Sequence, residues 1–215
     1  MGEFVLFFVS LFSIVNPFSS IPTFVSLTGD IPKRERRAMI TLTSAAVFVI
    51  LAMSYVAGQG LLRFFSISVP SLRVAGGLVI FGMAWSMLHA RISHAKQTPE
   101  EAEEAAASTE RSAIAVVPLA MPILAGPGAI SLMIIAAGQS VGMKSHVSVL
   151  LAALILSASI WMILQAAGPI AKALGKTGMN VATRFMGLIL AATAVEFITS
   201  GLAEIFPGWT QGIGA

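Results

Sequence analysis

No cysteine occurs among the 215 residues, which excludes disulfides, a thiol nucleophile and cysteine-based zinc or iron–sulfur centres. Charge is scarce: 11% of the chain is Asp, Glu, Lys or Arg, where soluble domains carry about 25%. The few charges form no long basic block, so 13 Lys and Arg against 10 Asp and Glu do not make a nucleic-acid surface. No phosphate-binding glycine loop is present, which excludes transport driven by ATP within this chain. The three histidines, His89, His94 and His146, fall at segment ends or in loops without metalloprotease spacing, and no serine sits beside one inside an apolar stretch. The chain is therefore read as not an enzyme, with no metal and no cofactor.

What remains is apolar. Hydrophobic residues make up 56% of the sequence and mean hydropathy is +0.88. A soluble domain of this size needs far more polar surface, so a free cytosolic enzyme and a disordered binder are both excluded, and the solvent is a bilayer. Six stretches reach the roughly 20 residues a span requires, at 4–28, 38–62, 70–90, 113–138, 146–171 and 182–206. The start, MGEFVLFFVSLF, lacks a basic n-region and a small-residue cleavage site, and reads as a retained first span.

Alternate loops differ in positive charge. Ten of the thirteen Lys and Arg fall on one side and three, Arg63, Arg73 and Lys144, on the other. Cytoplasmic loops retain positive charge, so both termini are expected outside the cytoplasm. The acidic stretch between spans three and four reads as a solvated cytoplasmic linker.

The two halves echo one another. Arg73 and Arg184 each open a span with glycine three residues on, Gly76 and Gly187. Pro17 and Pro22 in span one match Pro122 and Pro127 in span four at the same spacing. Two halves of three spans enter the membrane from opposite sides, so the expected architecture is an all-α membrane protein of six transmembrane helices in two inverted three-helix repeats. Residues 1–90 form the first repeat, 91–112 the linker, 113–206 the second repeat and 207–215 a short extracytoplasmic tail.

Mid-span proline removes a backbone donor and clashes with the preceding turn, so helices 1 and 4 are expected to break near the midplane, at Asn16-Pro17 and at Gly126-Pro127-Gly128. Freed backbone groups at that depth must be buried in protein or face a wet cavity. A half-helix start offers amides and a positive dipole end to an anion, and a half-helix end offers carbonyls to a cation. A small zwitterion suits both. The candidate substrate-binding residues are Asn16, Pro17, Ser19, Ser20, Pro22, Gly126, Pro127, Gly128 and Ser131. The competing reading is that the prolines are structural kinks and that the serines bond back to their own helices.

Glu196, about midway along span six, is the one acidic residue deep in a span; it is a candidate for coupling to a proton, or else a neutral interhelical hydrogen-bond partner. Arg73 and Arg184 read as anchors that snorkel to headgroups or pair with acids. Gln59 and Gln165 read as interhelical glue. The small residues Ala75, Gly76 and Gly77, with Gly82 and Gly187, read as surfaces for close helix packing.

With NPFSSIPTFVSLTGD in span one, ISVPSLRVAGGLVIFGMAW in span three, VPLAMPILAGPGAIS in span four and RFMGLILA in span six, the chain resembles the MarC family of bacterial and archaeal inner-membrane proteins over nearly its whole length. The resemblance implies six spans in a cytoplasmic (inner) membrane. Through the related SnatA branch it implies transport of small neutral amino acids such as glycine and alanine, and it marks Asn16, Pro17, Pro22, Gly126, Pro127 and Gly128 as the matching motif positions. The leading expectation is a secondary transporter working by alternating access, with a zwitterionic substrate, the bilayer and a coupling proton or cation as partners. A passive channel for a small solute or ion and a noncatalytic membrane scaffold are the alternatives. Oligomeric state is not legible.

Overall fold

A computed structural model describes residues 2–28, 31–89 and 124–209, without side chains for 22, 23, 26, 27, 176 and 209. The expected linker at 91–112 and the beginning of the fourth expected span lie outside these residues, as does most of the tail. The described chain is helical throughout: α1 Gly2–Val15, a 3₁₀ turn Pro17–Ser20, α2 Ile21–Thr28, α3 Lys33–Phe64, α4 Val69–Leu88, α5 Pro127–Gln139, α6 Gly142–Gln165, α7 Ala167–Ile205 and a last 3₁₀ turn Pro207–Trp209.

Five described segments are long and apolar enough to cross a membrane: Gly2–Ser20, Lys33–Phe64, Val69–Leu88, Gly142–Gln165 and Thr177–Ile205. Each buries only 22–39% of its most apolar window inside the protein, and the outward remainder carries large apolar side chains such as Leu6, Val56, Trp85, Phe185 and Leu188. A helix apolar on both its packed and its outer faces belongs in lipid. α3 shows how length is used. Its charges sit at Lys33–Arg37 and at Arg63, leaving an uncharged stretch of roughly 37 Å at 1.5 Å per residue, enough for a hydrocarbon core of about 30 Å.

α1 and α5 are different. With 14 and 13 residues they extend roughly 20 Å each and stop short of a full crossing. The fifth expected span is corrected at its end: α6 stops at Gln165, because Ala166 leaves the helix at φ −87, ψ 0 ahead of Gly168-Pro169, and α7 starts at once. α7 is itself interrupted at Gly175, whose φ of 59 and ψ of −176 suit a residue without Cβ.

Lipid tails are as apolar as leucine, so helix association relies on close packing rather than on burial from water. α4 and α7 meet along their lengths on small residues. A Cβ on Gly77 would lie 2.9 Å from the carbonyl oxygen of Ala194, and one on Gly201 would lie 3.0 Å from that of Pro70, so the backbones touch where only glycine fits. Gly187 faces Ala84 and Met87 in the same seam, as the sequence suggested, whereas Gly82 points to open space and takes no part. At its start this seam is locked by an ion pair between Arg73, a buried residue of α4, and Glu204 near the end of α7. α3 packs on α5 and α6, and Gln59 ties α3 to α5 by donating its Nε2 to the carbonyl of Ile134 at 2.8 Å.

Candidate functional site

The first break forms where the proline motif places it. α1 ends at Val15; Asn16 turns left-handed at φ 46, ψ 67, still donating its amide to the Phe12 carbonyl at 2.8 Å; the chain then makes the Pro17–Ser20 turn and re-enters a helix at Ile21. Left-handed backbone costs most L-residues roughly 1–2 kcal/mol, and asparagine is among the few that visit it routinely. Pro17 follows at a first-turn position, where its missing amide is no loss. Pro22 lies in the first turn of α2.

Asn16 is 2% exposed and, although it stands at the cap position of the turn, its side chain makes no cap hydrogen bond. Its Nδ2 donates to the sulfur of Met87 at 3.9 Å, a weak contact, and its Oδ1 is buried with no hydrogen-bond partner among the described residues. Leaving a buried acceptor unmet costs about 1–3 kcal/mol. The neighbouring serines do not relieve it: Ser19 Oγ donates to the Asn16 carbonyl at 2.8 Å and Ser20 Oγ to the Pro17 carbonyl at 2.6 Å. Their hydroxyl protons are thus engaged by the broken backbone itself, which is the local alternative rather than the ligand-facing one.

Of the second expected break only the downstream side lies in the described residues: Leu124 and Ala125, both buried, lead into the start of α5. Gly126 caps α5 with extended backbone, φ −71 and ψ 171, and its carbonyl accepts from the amides of Ala129 and Ile130 at 3.0 and 3.1 Å. The amide of Gly128, in the first turn, has no acceptor within the helix. Because Gly126, Gly128, Ala129 and Ser131 are all buried, the positive end of the α5 dipole lies inside the protein. Pro127 is exposed.

The first break and the start of α5 are brought close through shared neighbours. A Cβ on Gly128 would meet Ile80 Cγ1 at 2.5 Å and Ile14 Cγ2 at 3.1 Å, so the start of α5 lies directly against the last turn of α1 and against α4. Ser131 reaches α4 as well, within 2.9 Å of the position a Cβ on Gly76 would take. One face of α4 thus carries Gly76, Ile80 and Met87 past both breaks. Glu196 is not part of this assembly. It is exposed on α7, where its backbone carbonyl accepts from Ser200 Oγ. Its place in an apolar run does not specify which way a helix face turns.

Two hollows lie along these helices, one at the ends remote from the breaks and one beside the first break. A cleft of about 730 Å³ opens at the far ends of α1 and α5, lined by Glu3, Gln139, Ser140, Lys144 and Ser145 among others. Glu3 and Lys144 share this cleft without forming an ion pair with one another, so it offers both an acid and a base. An apolar hollow of about 330 Å³ lies between Phe18, Ser19 and Ile21 at the first break and Leu174, Met179 and Met186 of α7. Neither was expected from the sequence, since both depend on which helices become neighbours. Among the described residues, no group of three or more His, Asp or Glu side chains is placed to hold a metal.

Residues 1–206 match the model of the MarC family of integral membrane proteins. The chain is 39% identical over 205 residues to the UPF0056 membrane protein YvbG of Bacillus subtilis, covering 95% of this chain and 96% of that protein. It is 37% identical over 202 residues to the UPF0056 membrane protein YhcE of Escherichia coli, covering 94% and 93% respectively. A UPF0056 membrane protein of Methanocaldococcus jannaschii is 35% identical over 199 residues, with 93% of this chain and 95% of that protein covered. No solved structure matches the chain.

Proposed function

Since the chain belongs to the MarC family of integral membrane proteins, we propose that it is a secondary transporter of small neutral amino acids, of the size of glycine and alanine, working by alternating access between two inverted three-helix repeats. The observation that carries this reading is the buried, unmet Oδ1 of Asn16 in a broken helix that abuts the buried positive end of α5. The Asn16 oxygen accepts from the substrate ammonium, and the free amide of Gly128, at the positive end of α5, donates to its carboxylate. Neither end requires a full side-chain charge, which selects a net-neutral zwitterion. The close approach of Ile14 and Ile80 leaves little room for a side chain, which selects a small one.

Two further features support the reading. The cleft containing Glu3 and Lys144 presents both signs of charge to a zwitterion arriving from the extracytoplasmic side. The Gly175 interruption and the apolar hollow between α7 and the first break give α7 a hinge and space to move. Ser131 stands beside the α5 start as a further contact.

A noncatalytic scaffold is the second reading, favoured by the tight packing around Gly128. Uptake of labelled glycine into proteoliposomes separates them. The transporter reading expects saturable uptake, competed by alanine and weakened by Asn16→Gly; no uptake above protein-free vesicles refutes it and leaves the scaffold.

A further inference from the structure

A cleft of about 740 Å³ lies between the start of α3 and the α6–α7 corner, lined by Lys33, Arg34, Arg36, Arg37, Gln165 and Pro169. Among the described residues, four cations and no carboxylate form its wall; Glu35, in the same turn of α3, is not part of the lining. Like charges crowded at one helix end repel one another, and the positive dipole end of α3 adds to them. Glu35 offsets one of these charges, and the turn keeps a net positive charge that a bound anion lowers.

Two donors point to where that anion sits. Arg36 Nη2 and Gln165 Nε2 are both buried, and neither has a hydrogen-bond partner among the described residues. They come from different helices and line the same cleft. The Arg36 guanidinium is held in position, with its Cζ 5.0 Å from the centre of the Phe24 ring and Gly168 of the corner against its edge. A fixed guanidinium presents a planar fork of donors matched to a tetrahedral oxyanion, and an amide donor beside it supplies a further contact.

We propose that this cleft is a binding site for a phosphate group, held by Arg36 and Gln165 and neutralised by Lys33, Arg34 and Arg37. The group is supplied by the headgroup of an anionic phospholipid or by free phosphate; both present the same oxygens. The site does not depend on the transport reading, because it lies at the other end of α3 from the Gln59 contact and uses none of the break residues.

The test uses the full chain in neutral detergent and follows its thermal midpoint while phosphatidylglycerol, phosphatidylcholine or inorganic phosphate is titrated at constant ionic strength. Wild type is compared with Arg36→Gln, with the double variant Arg34→Gln/Arg37→Gln, and with Arg63→Gln/Arg184→Gln, both exposed, as a control of equal charge loss elsewhere. A ligand that binds only the folded state raises the midpoint by several degrees, about what mass action gives at saturation. Loss of one charge-assisted contact weakens apparent affinity roughly tenfold. A rise with phosphatidylglycerol but not phosphatidylcholine, weakened in the cleft variants and retained in the control, establishes a lipid headgroup site. The same pattern with inorganic phosphate alone establishes a free-phosphate site. No rise with either phosphate source, or an equal loss in the control variant, overturns the proposal. If Arg36→Gln does not fold, the Arg34→Gln/Arg37→Gln pair, both exposed, decides the outcome.

Discussion

Replacing Asn16 by glycine separates its backbone role from its side-chain role. Glycine adopts the left-handed conformation at φ 46 freely, so the break is retained while the amide is removed. Three terms set the stability change. Deleting the unmet Oδ1 recovers about 1–3 kcal/mol; loss of the weak Met87 contact and of packed volume costs about 1–2 kcal/mol; and the added freedom of glycine in the unfolded chain costs about 0.5–1 kcal/mol. These nearly cancel, so the stability of Asn16→Gly is expected to lie within about 1 kcal/mol of wild type. Transport is another matter. A hydrogen bond to a charged group is worth about 1.5–3 kcal/mol, so the apparent affinity for glycine falls roughly 10- to 150-fold. Asn16→Ala adds left-handed strain of about 1–2 kcal/mol and is less stable than Asn16→Gly. The assays are thermal unfolding in detergent and concentration-dependent glycine uptake in proteoliposomes. Wild-type uptake by Asn16→Gly, or a loss in stability of about 3 kcal/mol or more, refutes the reasoning, because the amide would then be either idle or structural.

Gly128→Ala places a methyl 2.5 Å from Ile80 Cγ1 and is expected to destabilise by about 1–3 kcal/mol, with Ile80→Ala in the same chain recovering part of the loss in thermal unfolding. Glu204→Gln leaves Arg73, whose side chain is 10% exposed, without its carboxylate; because the Glu204 side chain is itself 46% exposed, the expected cost is modest, about 1–2 kcal/mol in thermal unfolding, and Arg73→Met in the same chain reverses it. Glu196→Gln is expected to leave the pH profile of glycine uptake unchanged, because the carboxylate stands on the exposed face of α7 away from the breaks; a flattened profile would assign it the coupling role considered from its depth.

The Asn16-Pro17 break was legible because its cause is local: a proline in an apolar run cannot continue the helix, and asparagine tolerates the conformation that follows. The start of α5 at Gly126-Pro127 was legible for the same reason. The use of Gln59 as a contact between helices and the packing role of Gly77 and Gly187 also follow from residue type, since polar and small residues inside spans have few other uses. What the chain does with them over long range was not. Arg73 and Glu204 are 131 residues apart, and nothing in either neighbourhood specifies the pair. Ser19 and Ser20 turned back to the broken backbone because carbonyls freed by the break lie closest to them. The end of α6 at Gln165 shows the same limit from another side: the apolar run continues to Ala171, but Gly168-Pro169 favours a corner, and hydropathy does not register backbone geometry.

We propose that the Asn16 break and the start of α5 together bind a small zwitterion and that the protein moves it by alternating access. Counterflow tests it most directly: proteoliposomes loaded with unlabelled glycine are diluted into a trace of labelled glycine. Transient accumulation of label above its equilibrium level is expected, abolished in vesicles without internal glycine and reduced with Asn16→Gly. Label that enters only to equilibrium, at a rate indifferent to internal glycine, would contradict it.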